Sequence, residues 1–424
     1  MKIRFINARI LTMEENRPIF RGELWVEDGL ISYVGPKKST EIEFDRIINC
    51  GGNLLMPGFK NAHAHSPMTF LRSFVDDLPL DRWLNEAVFP LEDKLKPSDI
   101  YTLSKVAFAE YVSSGITAAF DMYYYPLEIA KAAIDVGFRS VLVGTITSTR
   151  QSIAEIKATY ETINKMSPLV TYKLGFHAEY TSTPEILNKL SEIANELKAP
   201  IYTHISETEK EVEGSIKRHG ATPAVYFDRL GLFNYGGGGY HGVAFKDEDF
   251  AVFKKRNLSI VTCPSSNTKL ASGIAPIKRF LDEGINVAIG TDGPASNNAL
   301  DMFREMFLVT GLAKLREGDA AVVDGLEVLK MATVNGAIAM ELNNADILKE
   351  GKFADLILFD LDQPNMQPIH NIAKNIVYAG SKSNIYLTMI NGKILYENGE
   401  FFFDDSIENI YKEASEITRR ITGE

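Results

Sequence analysis

Eight short apolar segments, rich in β-branched residues, recur through the middle of the chain and alternate with helical stretches. Most of these segments show little polar alternation, which is typical of strands buried on both faces. Eight strands alternating with helices predict a parallel (β/α)8 barrel, or TIM barrel. An open, doubly wound sheet has the same local signature, so the alternation alone leaves both α/β folds open. The predicted strands are Leu54–His63, Ile116–Tyr123, Arg139–Ile146, Val170–His177, Pro200–Ser206, Gly238–Ala244, Leu258–Cys263 and Asn286–Thr291.

Both ends of the chain are also rich in strands, but with apolar and polar residues in alternation. The predicted end strands are Ile3–Ile10, Glu23–Glu27, Leu30–Val34, Ala354–Phe359, Asn375–Tyr378, Ile385–Ile390 and Lys393–Tyr396. At 424 residues the chain suits one large domain plus a smaller one. We therefore expect residues 1–56 and 350–424 to form one small β-sandwich, and residues 57–349 to form the catalytic barrel. A last amphipathic helix is predicted at roughly 405–421.

Charge and cysteine content narrow the possible partners. The net charge of -11 argues against a nucleic-acid backbone or an anionic membrane surface as a standing partner. Cys50 and Cys263 are too few for a disulfide framework, so a reducing cytoplasm is expected. No run of about 18 consecutive apolar residues predicts a membrane span. The expected partner is a small-molecule substrate.

Histidines stand at the predicted strand ends. In His63-Ala64-His65 the two imidazoles lie two residues apart, so on a strand they point to the same face. His204, His241 and Asp292 end other predicted strands, and the C-terminal strand ends of a barrel meet at one mouth. Each residue alone fits a hydrogen-bonded core histidine or a helix cap. Together they predict a site for one divalent metal ion.

The ligand types indicate catalytic rather than structural metal chemistry. Histidines with a carboxylate suit zinc or iron, and no cysteine stands in the set. Zinc lowers the pKa of a bound water to about 7, and Asp292 could hold and deprotonate that water. Glu207, three residues after His204, could pass a proton to a ring nitrogen. The sequence is equally consistent with Glu207 being an exposed acidic residue at the start of a helix.

These motifs resemble the metal-dependent amidohydrolases, in particular their cytosine/adenosine deaminase-like branch and, within it, the methylthioadenosine/S-adenosylhomocysteine deaminases. The likeness covers essentially the whole chain. The matching stretches are Met56-Pro57-Gly58, His63 to Met68, His204 with Glu207, Cys263 to Asn267 with Lys269-Leu270, Gly273 to Pro276, Gly290 to Gly293 with Ser296 to Asn298, and Gly351 to Leu356.

The resemblance implies a barrel with a split β-sandwich and a mononuclear site for zinc or iron. The implied metal ligands are His63, His65, His204 and Asp292, with His241 at the metal or on its water. Glu207 would be the proton shuttle and Asp292 the base. Dinuclear relatives carry a carboxylated lysine at the end of strand four, where this chain has His177.

The implied substrate contacts include the segment Ser66–Asp93, which resembles a substrate-covering loop with few regular structure signals. In this likeness Trp83 lines the pocket, Glu92 holds the ribose hydroxyls and His177 reaches the substrate. Core packing for Trp83 and a helix cap for Glu92 are the alternatives. Relatives that accept S-adenosylhomocysteine tend to place an arginine after strand three.

This chain reads Val143-Gly144-Thr145 at that position. Arg150 is the nearest basic residue, and it could still reach a substrate carboxylate. The missing arginine leaves the preferred substrate open. The run Gly236 to Gly239 before His241 is also unusual, and glycines in a strand often mark a close backbone approach.

The expected activity is hydrolytic deamination of 5′-methylthioadenosine, S-adenosylhomocysteine, adenosine or 5′-deoxyadenosine, giving the inosine analogue and ammonia. An alternative keeps the machinery but changes the ring to guanine, a pterin, cytosine or a triazine that loses amine or chloride. A non-catalytic, metal-binding barrel is a third reading, which the presence of the metal set and Glu207 disfavours. Homo-oligomers are common among such enzymes, so a homo-oligomer is a further expectation from the resemblance.

Overall fold

The strands of this protein fall into two sheets in a computed structural model that describes residues 1–74, 76–148 and 152–423. The strands are β1 (Lys2–Ile10), β2 (Phe20–Glu27), β3 (Leu30–Gly35), β4 (Arg46–Asn49), β5 (Leu54–Pro57), β6 (Phe59–Ala64), β7 (Ile116–Met122), β8 (Arg139–Val143), β9 (Val170–Gly175), β10 (Ile201–Ile205), β11 (Gly237–His241), β12 (Ser259–Thr262), β13 (Asn286–Ile289), β14 (Leu356–Phe359), β15 (Ile385–Ile390), β16 (Lys393–Glu397) and β17 (Glu400–Phe401).

Helices follow most of the barrel strands and also cover the mouth. The α-helices are α1 (Leu80–Arg82), α2 (Phe89–Glu92), α3 (Pro97–Ser113), α4 (Pro126–Val136), α5 (Ile153–Ile163), α6 (Pro184–Leu197), α7 (Glu209–His219), α8 (Pro223–Arg229), α9 (Asp247–Arg256), α10 (Pro264–Lys269), α11 (Ile277–Asp282), α12 (Met302–Glu317), α13 (Gly325–Met331), α14 (Val334–Ala339), α15 (Ile372–Tyr378) and α16 (Ile407–Thr422). Short 3-10 helices lie at Ser66–Leu71, Glu179–Thr181, Pro364–Met366 and Lys382–Asn384, and a π-helical turn lies at Trp83–Val88. Across the described part of the chain, none of the helices is long and apolar enough to cross a membrane.

Strands β6 to β13 form the predicted barrel in sequential order, and their ladders are parallel. The first and last strands meet through side chains and backbone. The Thr291 N–H donates to Asn61 Oδ1 at 2.8 Å, and Asn61 Nδ2 donates to the Thr291 hydroxyl at 2.7 Å. The Asp292 N–H donates to the carbonyl of His63 at 3.0 Å. These contacts nearly close the barrel and confirm the predicted fold class.

The two chain ends build the second sheet, as expected. Its order is β17-β16-β15-β14-β5-β1-β2-β3, and β4 pairs with β1. One face has its own hydrophobic core, which includes Phe5, Leu24, Leu356 and Leu387. The strands form one continuous hydrogen-bonded sheet, and the expected boundaries at 56/57 and 349/350 stay a prediction. Helix α16 packs on α3 of the barrel, where Lys94 Nζ donates to the carbonyl of Ile421 at 3.0 Å.

Two predicted strands are wrong in detail. The first barrel strand was expected as one run, but it breaks at Pro57-Gly58. Its first half pairs with β1 and β14 in the terminal sheet, and its second half enters the barrel. The predicted strand Asn375–Tyr378 lies within helix α15, because Asn371 caps that helix by accepting the Lys374 N–H at 3.0 Å. Four residues of alternation were too few to separate the two structures.

The glycine run before His241 allows close packing of β11 between its neighbours. A Cβ on Gly237 would lie 1.9 Å from the carbonyl oxygen of Ile201 on β10, and Gly237 has φ +124°. A Cβ on Gly239 would lie 2.2 Å from Cγ2 of Ile205. A side chain at either position would push β11 away from β10. The run therefore brings His241 into register opposite Ile205, next to His204.

A buried ion pair joins the barrel to the terminal sheet. Arg139 on β8 donates to Asp355, just before β14, with Nε–Oδ2 at 2.5 Å and Nη2–Oδ1 at 3.0 Å. Asp355 Oδ1 also accepts the Asn391 N–H at 2.8 Å. Both side chains are almost completely buried, so loss of one partner would leave an uncompensated charge in the interior.

We expect the Asp355→Ala variant to lose about 3–5 kcal/mol of the free energy of unfolding, because Arg139 would stay buried without a counter-charge. The Glu397→Ala variant is the control, since it breaks the more exposed pair of Glu397 with Arg46. That loss should be below about 1 kcal/mol. Urea unfolding followed by tryptophan fluorescence measures the free energy of unfolding of both variants. Equal losses in the two variants would contradict the larger contribution assigned to the buried pair.

Candidate active site

The five predicted metal-binding residues come together at the C-terminal ends of the barrel strands. His63 lies on β6, His204 on β10 and His241 at the end of β11, while His65 and Asp292 follow β6 and β13. In each of two groups, the candidate ligand atoms lie within 4.8 Å of one another. The first group is His63, His204 and His241, and the second group is His63, His65 and Asp292. His63 belongs to both and is the centre of the cluster.

Three of the histidines have a fixed tautomer. The Nδ1 of His65 lies 2.5 Å from the carbonyl oxygen of Met122, and the Nδ1 of His204 lies 2.7 Å from that of His177. The Nδ1 of His241 lies 2.8 Å from Asn267 Oδ1. Carbonyl oxygens only accept, so each Nδ1 carries the proton. The Nε2 of His204 and the Nε2 of His241 therefore keep their lone pairs for a metal ion, as in known metal sites. Burial lowers the pKa of His65, but the contacts of that ring with Asp292 outweigh burial and raise the pKa.

Asp292 faces the histidines with one oxygen and is held by the other. Its Oδ1 lies 3.1 Å from His65 Nε2 and 3.4 Å from His63 Nε2. Its Oδ2 accepts hydrogen bonds from the hydroxyls of Ser266 at 2.6 Å and Ser296 at 2.9 Å. Burial raises the pKa of Asp292, but the contacts with His63 and His65 outweigh burial and hold that pKa well below its usual value. Asp292 is therefore anionic at neutral pH and could serve as a metal ligand.

His63 provides the test of whether the site fits a metal. Its side chain is completely buried and stacks on Tyr240, with ring centroids 3.8 Å apart. Within the described residues neither of its ring nitrogens has a hydrogen-bond partner. Burial lowers the pKa of His63 to about 3, so the imidazole is neutral and can donate a lone pair. A buried imidazole without partners is costly, and a cation among these donors would remove that cost.

Glu207 lies beside this cluster rather than on the surface. It follows β10, is 5% exposed, and its Oε2 lies 3.9 Å from Nε2 of His241. The Ser206 and Glu207 N–H groups both donate to Glu211, at 2.9 and 2.8 Å, which fixes the turn after β10. Burial raises the pKa of Glu207, which favours the protonated carboxyl. The alternative of an exposed acid at a helix start is excluded by this burial.

A cavity that opens to solvent lies above the cluster. Trp83, Glu92 and His177, the three described candidates for substrate contacts, all line it together with His65, His204, His241, Asp292 and Glu207. Trp83 and Glu92 are buried there, at 5% and 7% exposure. The fourth candidate, Arg150, lies outside the described residues.

The segment over the cavity is more regular than expected. The 3-10 helix Ser66–Leu71 begins it, and α1, the π-helical turn and α2 follow one another from Leu80 to Glu92. Apolar side chains of that helical stretch turn toward the cavity. An ion pair between Asp76 and Lys269 ties the segment to α10, so it is anchored on the rim of the barrel.

Several site residues carried no role in the sequence analysis. Ser266 and Asn267 lie within the matched run Cys263 to Asn267, and polar residues directly after a predicted strand were the available signal. Tyr240 and the Met122 carbonyl carried no signal, because stacking and backbone contacts depend on the three-dimensional register. The cavity also contains residues that were not named as contacts: Met68, Tyr123, Tyr124, Thr145, Tyr180 and Ser296.

Comparison with known proteins places the chain among the hydrolases. Residues 54–395 match the amidohydrolase family. The chain belongs to this family. Both the predicted family and the predicted enzyme class, a hydrolase, are confirmed. A divalent metal ion fits the family and the histidine cluster of the structure.

Curated relatives match the chain over nearly its full length. It is 37% identical over 435 aligned residues to the 5-methylthioadenosine/S-adenosylhomocysteine deaminase of Thermoanaerobacter pseudethanolicus, covering 99% of this chain and 100% of the relative. It is 40% identical over 390 residues to the enzyme of the same name from Pyrococcus furiosus, covering 90% and 92%.

Solved structures show the same fold. An adenosine deaminase from Xanthomonas campestris with bound zinc has a TM-score of 0.93 and 29% identity, with 100% of this chain and 99% of that chain covered. A zinc-complexed atrazine chlorohydrolase from Arthrobacter aurescens has a TM-score of 0.90 but 20% identity, with 98% and 100% covered. At that identity the second likeness concerns the fold alone.

We expect the His63→Ala variant to lose most of the divalent metal that the wild-type protein retains, because His63 is shared by both groups of candidate ligands. The His370→Ala variant is the control, since His370 is exposed and lies outside the cluster. Metal content after dialysis, measured by plasma emission spectroscopy, makes the comparison. Equal metal content in the two variants would contradict the assigned centre.

Proposed function

We propose that this protein is a metal-dependent hydrolytic deaminase of adenosine-type nucleosides. Its substrates would be 5′-methylthioadenosine, S-adenosylhomocysteine, adenosine or 5′-deoxyadenosine. The observation that carries the proposal is the position of buried Glu207 beside the histidine and aspartate cluster, at the base of one cavity. A proton donor next to a metal site is what deamination of an aromatic amidine requires.

In this proposal His63, His65, His204 and Asp292 hold a single divalent ion, and His241 lies at the ion or at its water. Zinc is the proposed metal, and iron fits the same ligands. When bound, the ion supplies Lewis acidity that lowers the pKa of a water molecule to about 7. The fixed tautomers of His204 and His241 support this assignment, because each presents an unprotonated Nε2. The ring of His65 is held by the Met122 carbonyl, and its Nε2 faces Asp292.

The chain's own residues would then move the protons. Glu207, whose pKa is raised by burial, donates a proton to N1 of the purine and makes C6 more electrophilic. Asp292, which is ionised, accepts a proton from the attacking water. His241 has its proton on Nδ1, so its Nε2 accepts a hydrogen bond from that water. Asp292 then gives the water proton to the exocyclic amine, the C6–N bond breaks and ammonia leaves. Glu207 recovers its proton from the new C6 hydroxyl, and the inosine analogue remains.

Relatives and cavity both support an adenosine-type substrate. The curated relatives at 37% and 40% identity are named for deamination of methylthioadenosine and S-adenosylhomocysteine. Glu92 in the cavity would accept hydrogen bonds from the ribose hydroxyls, while Trp83 would pack on the nucleoside and His177 would contact it. Arg150 would meet a substrate carboxylate. The arginine expected after strand three is absent, and Thr145 lines the cavity there.

A substrate panel tests this function. We expect the zinc-loaded protein to release ammonia from methylthioadenosine, S-adenosylhomocysteine or adenosine, and to prefer ribonucleosides over 2′,3′-dideoxy analogues because of Glu92. The Glu92→Ala variant should lose that preference, and Glu86→Ala, at an exposed position of the same helical stretch, should keep it. Activity only on guanine, cytosine, pterins or aminotriazines would replace the substrate class but keep the metal chemistry.

We expect Glu207→Gln to keep metal content and substrate affinity but to lose about 10²–10⁴-fold in kcat, because an amide cannot donate and recover the proton. Glu209→Gln is the matched control two residues further on, where the side chain pairs with Lys246 at the surface. Steady-state kinetics with metal analysis measures both variants. Near-native kcat in Glu207→Gln would remove the assigned role.

A further inference from the structure

A buried carboxylate, Glu305, lies behind the metal cluster and touches neither the cavity nor the candidate ligands. It is in the first turn of α12 and is 0% exposed. Its Oε2 accepts the Ser265 N–H at 3.0 Å, and its Oε1 accepts Asn297 Nδ2 at 2.8 Å. The carboxylate therefore connects α10 to the loop after β13.

Each of these two segments supports one candidate ligand or more. On α10, Ser266 donates to Asp292 and Asn267 accepts from His241. Glu305 contacts Ser265, which directly precedes Ser266 in sequence, and Asn297, which lies in the same loop as Asp292. Both segments follow barrel strands that end at the mouth, and neither has regular ladder pairing to hold it there. A shift of either one would move an oxygen that orients a ligand.

Asn297 extends the connection to the junction where the barrel closes. Its Nδ2 group donates to Glu305 and also to the carbonyl of Thr291 at 2.6 Å. Thr291 in turn exchanges two hydrogen bonds with Asn61 on β6, the strand of His63. Both hydrogens of the amide are used, so its orientation is fixed by the two acceptors.

We propose that Glu305 is a positioning residue, which holds α10 and the loop of Asp292 in the arrangement that directs Asp292 and His241 toward the metal. Both of its partners are N–H donors, so two acceptor oxygens are needed. A glutamine would present an amide group to one of the donors and break that contact. The inference rests on the proposed metal site, but it goes beyond the residues that contact metal or substrate.

The test compares Glu305→Gln with Asp249→Asn. Asp249 is also completely buried, and it accepts the Lys246 N–H at 2.8 Å and the Thr222 hydroxyl at 2.5 Å at the start of α9, outside the metal cluster. Each variant thus replaces one buried carboxylate with an amide. Chelator competition gives the Kd for zinc, and the visible absorption of the cobalt-loaded protein reports ligand geometry independently of activity.

We expect Glu305→Gln to weaken zinc binding at least about 10-fold and to change the cobalt spectrum, as loss of a supporting contact does in other metal sites. Asp249→Asn should match the wild-type protein in both. Asn297→Ala removes one of the two Glu305 contacts together with the contact to the Thr291 carbonyl. It should also weaken zinc binding, and its effect should not be additive with that of Glu305→Gln. If Glu305→Gln does not fold, Asn297→Ala against Asp249→Asn makes the same comparison.

Wild-type zinc affinity and an unchanged cobalt spectrum in the folded Glu305→Gln protein would overturn this inference and leave the proposed function standing. If Glu305→Gln does not fold and Asn297→Ala is used instead, wild-type zinc affinity and an unchanged cobalt spectrum in Asn297→Ala would also overturn the inference. A wild-type protein without zinc affinity would overturn the proposed metal site, and the inference with it.

Discussion

The junction between β6 and β13 is the constraint on which the site depends. The Asp292 N–H bonds to the carbonyl of His63, so the carboxylate and the central imidazole are placed together by backbone, before any metal ion is considered. Gly290 makes this approach possible, because a Cβ there would lie 2.7 Å from Cβ of His63. The same contacts therefore close the barrel and bring the cluster together.

Buried polar groups at this junction destabilise the fold unless they are hydrogen-bonded, and the candidate ligands differ in how far their hydrogen bonds are satisfied. His65, His204 and His241 each satisfy Nδ1 with a fixed oxygen acceptor, and Asp292 satisfies Oδ2 with two hydroxyls. His63 has neither nitrogen satisfied among the described residues. A cation bound by these donors would relieve the cost at His63.

Sequence patterns predicted the barrel, the sheet from both chain ends and the residues that meet at its mouth, because period, strand ends and residue type carry that information. They did not separate β5 from β6, since Pro57-Gly58 lies within one apolar run that serves two sheets. Nor did they identify Asn375–Tyr378 as helical, where a cap at Asn371 outweighs four residues of alternation. Helical structure in Ser66–Asp93 was missed because its 3-10, α- and π-helical pieces are each at most six residues long, too short to show a period.

Several residues that sequence reasoning missed contact the candidate ligands from outside the cluster. Asn267 and Ser266 matter through the orientation of His241 and Asp292, and Glu305 acts one contact further away. A ligand can be recognised by its residue type at a strand end, whereas a supporting residue can be any donor or acceptor that the fold brings within 3 Å. Since a metal site needs its donor atoms held to within about 0.5 Å, supporting contacts of this kind would help to set its geometry together with the ligands.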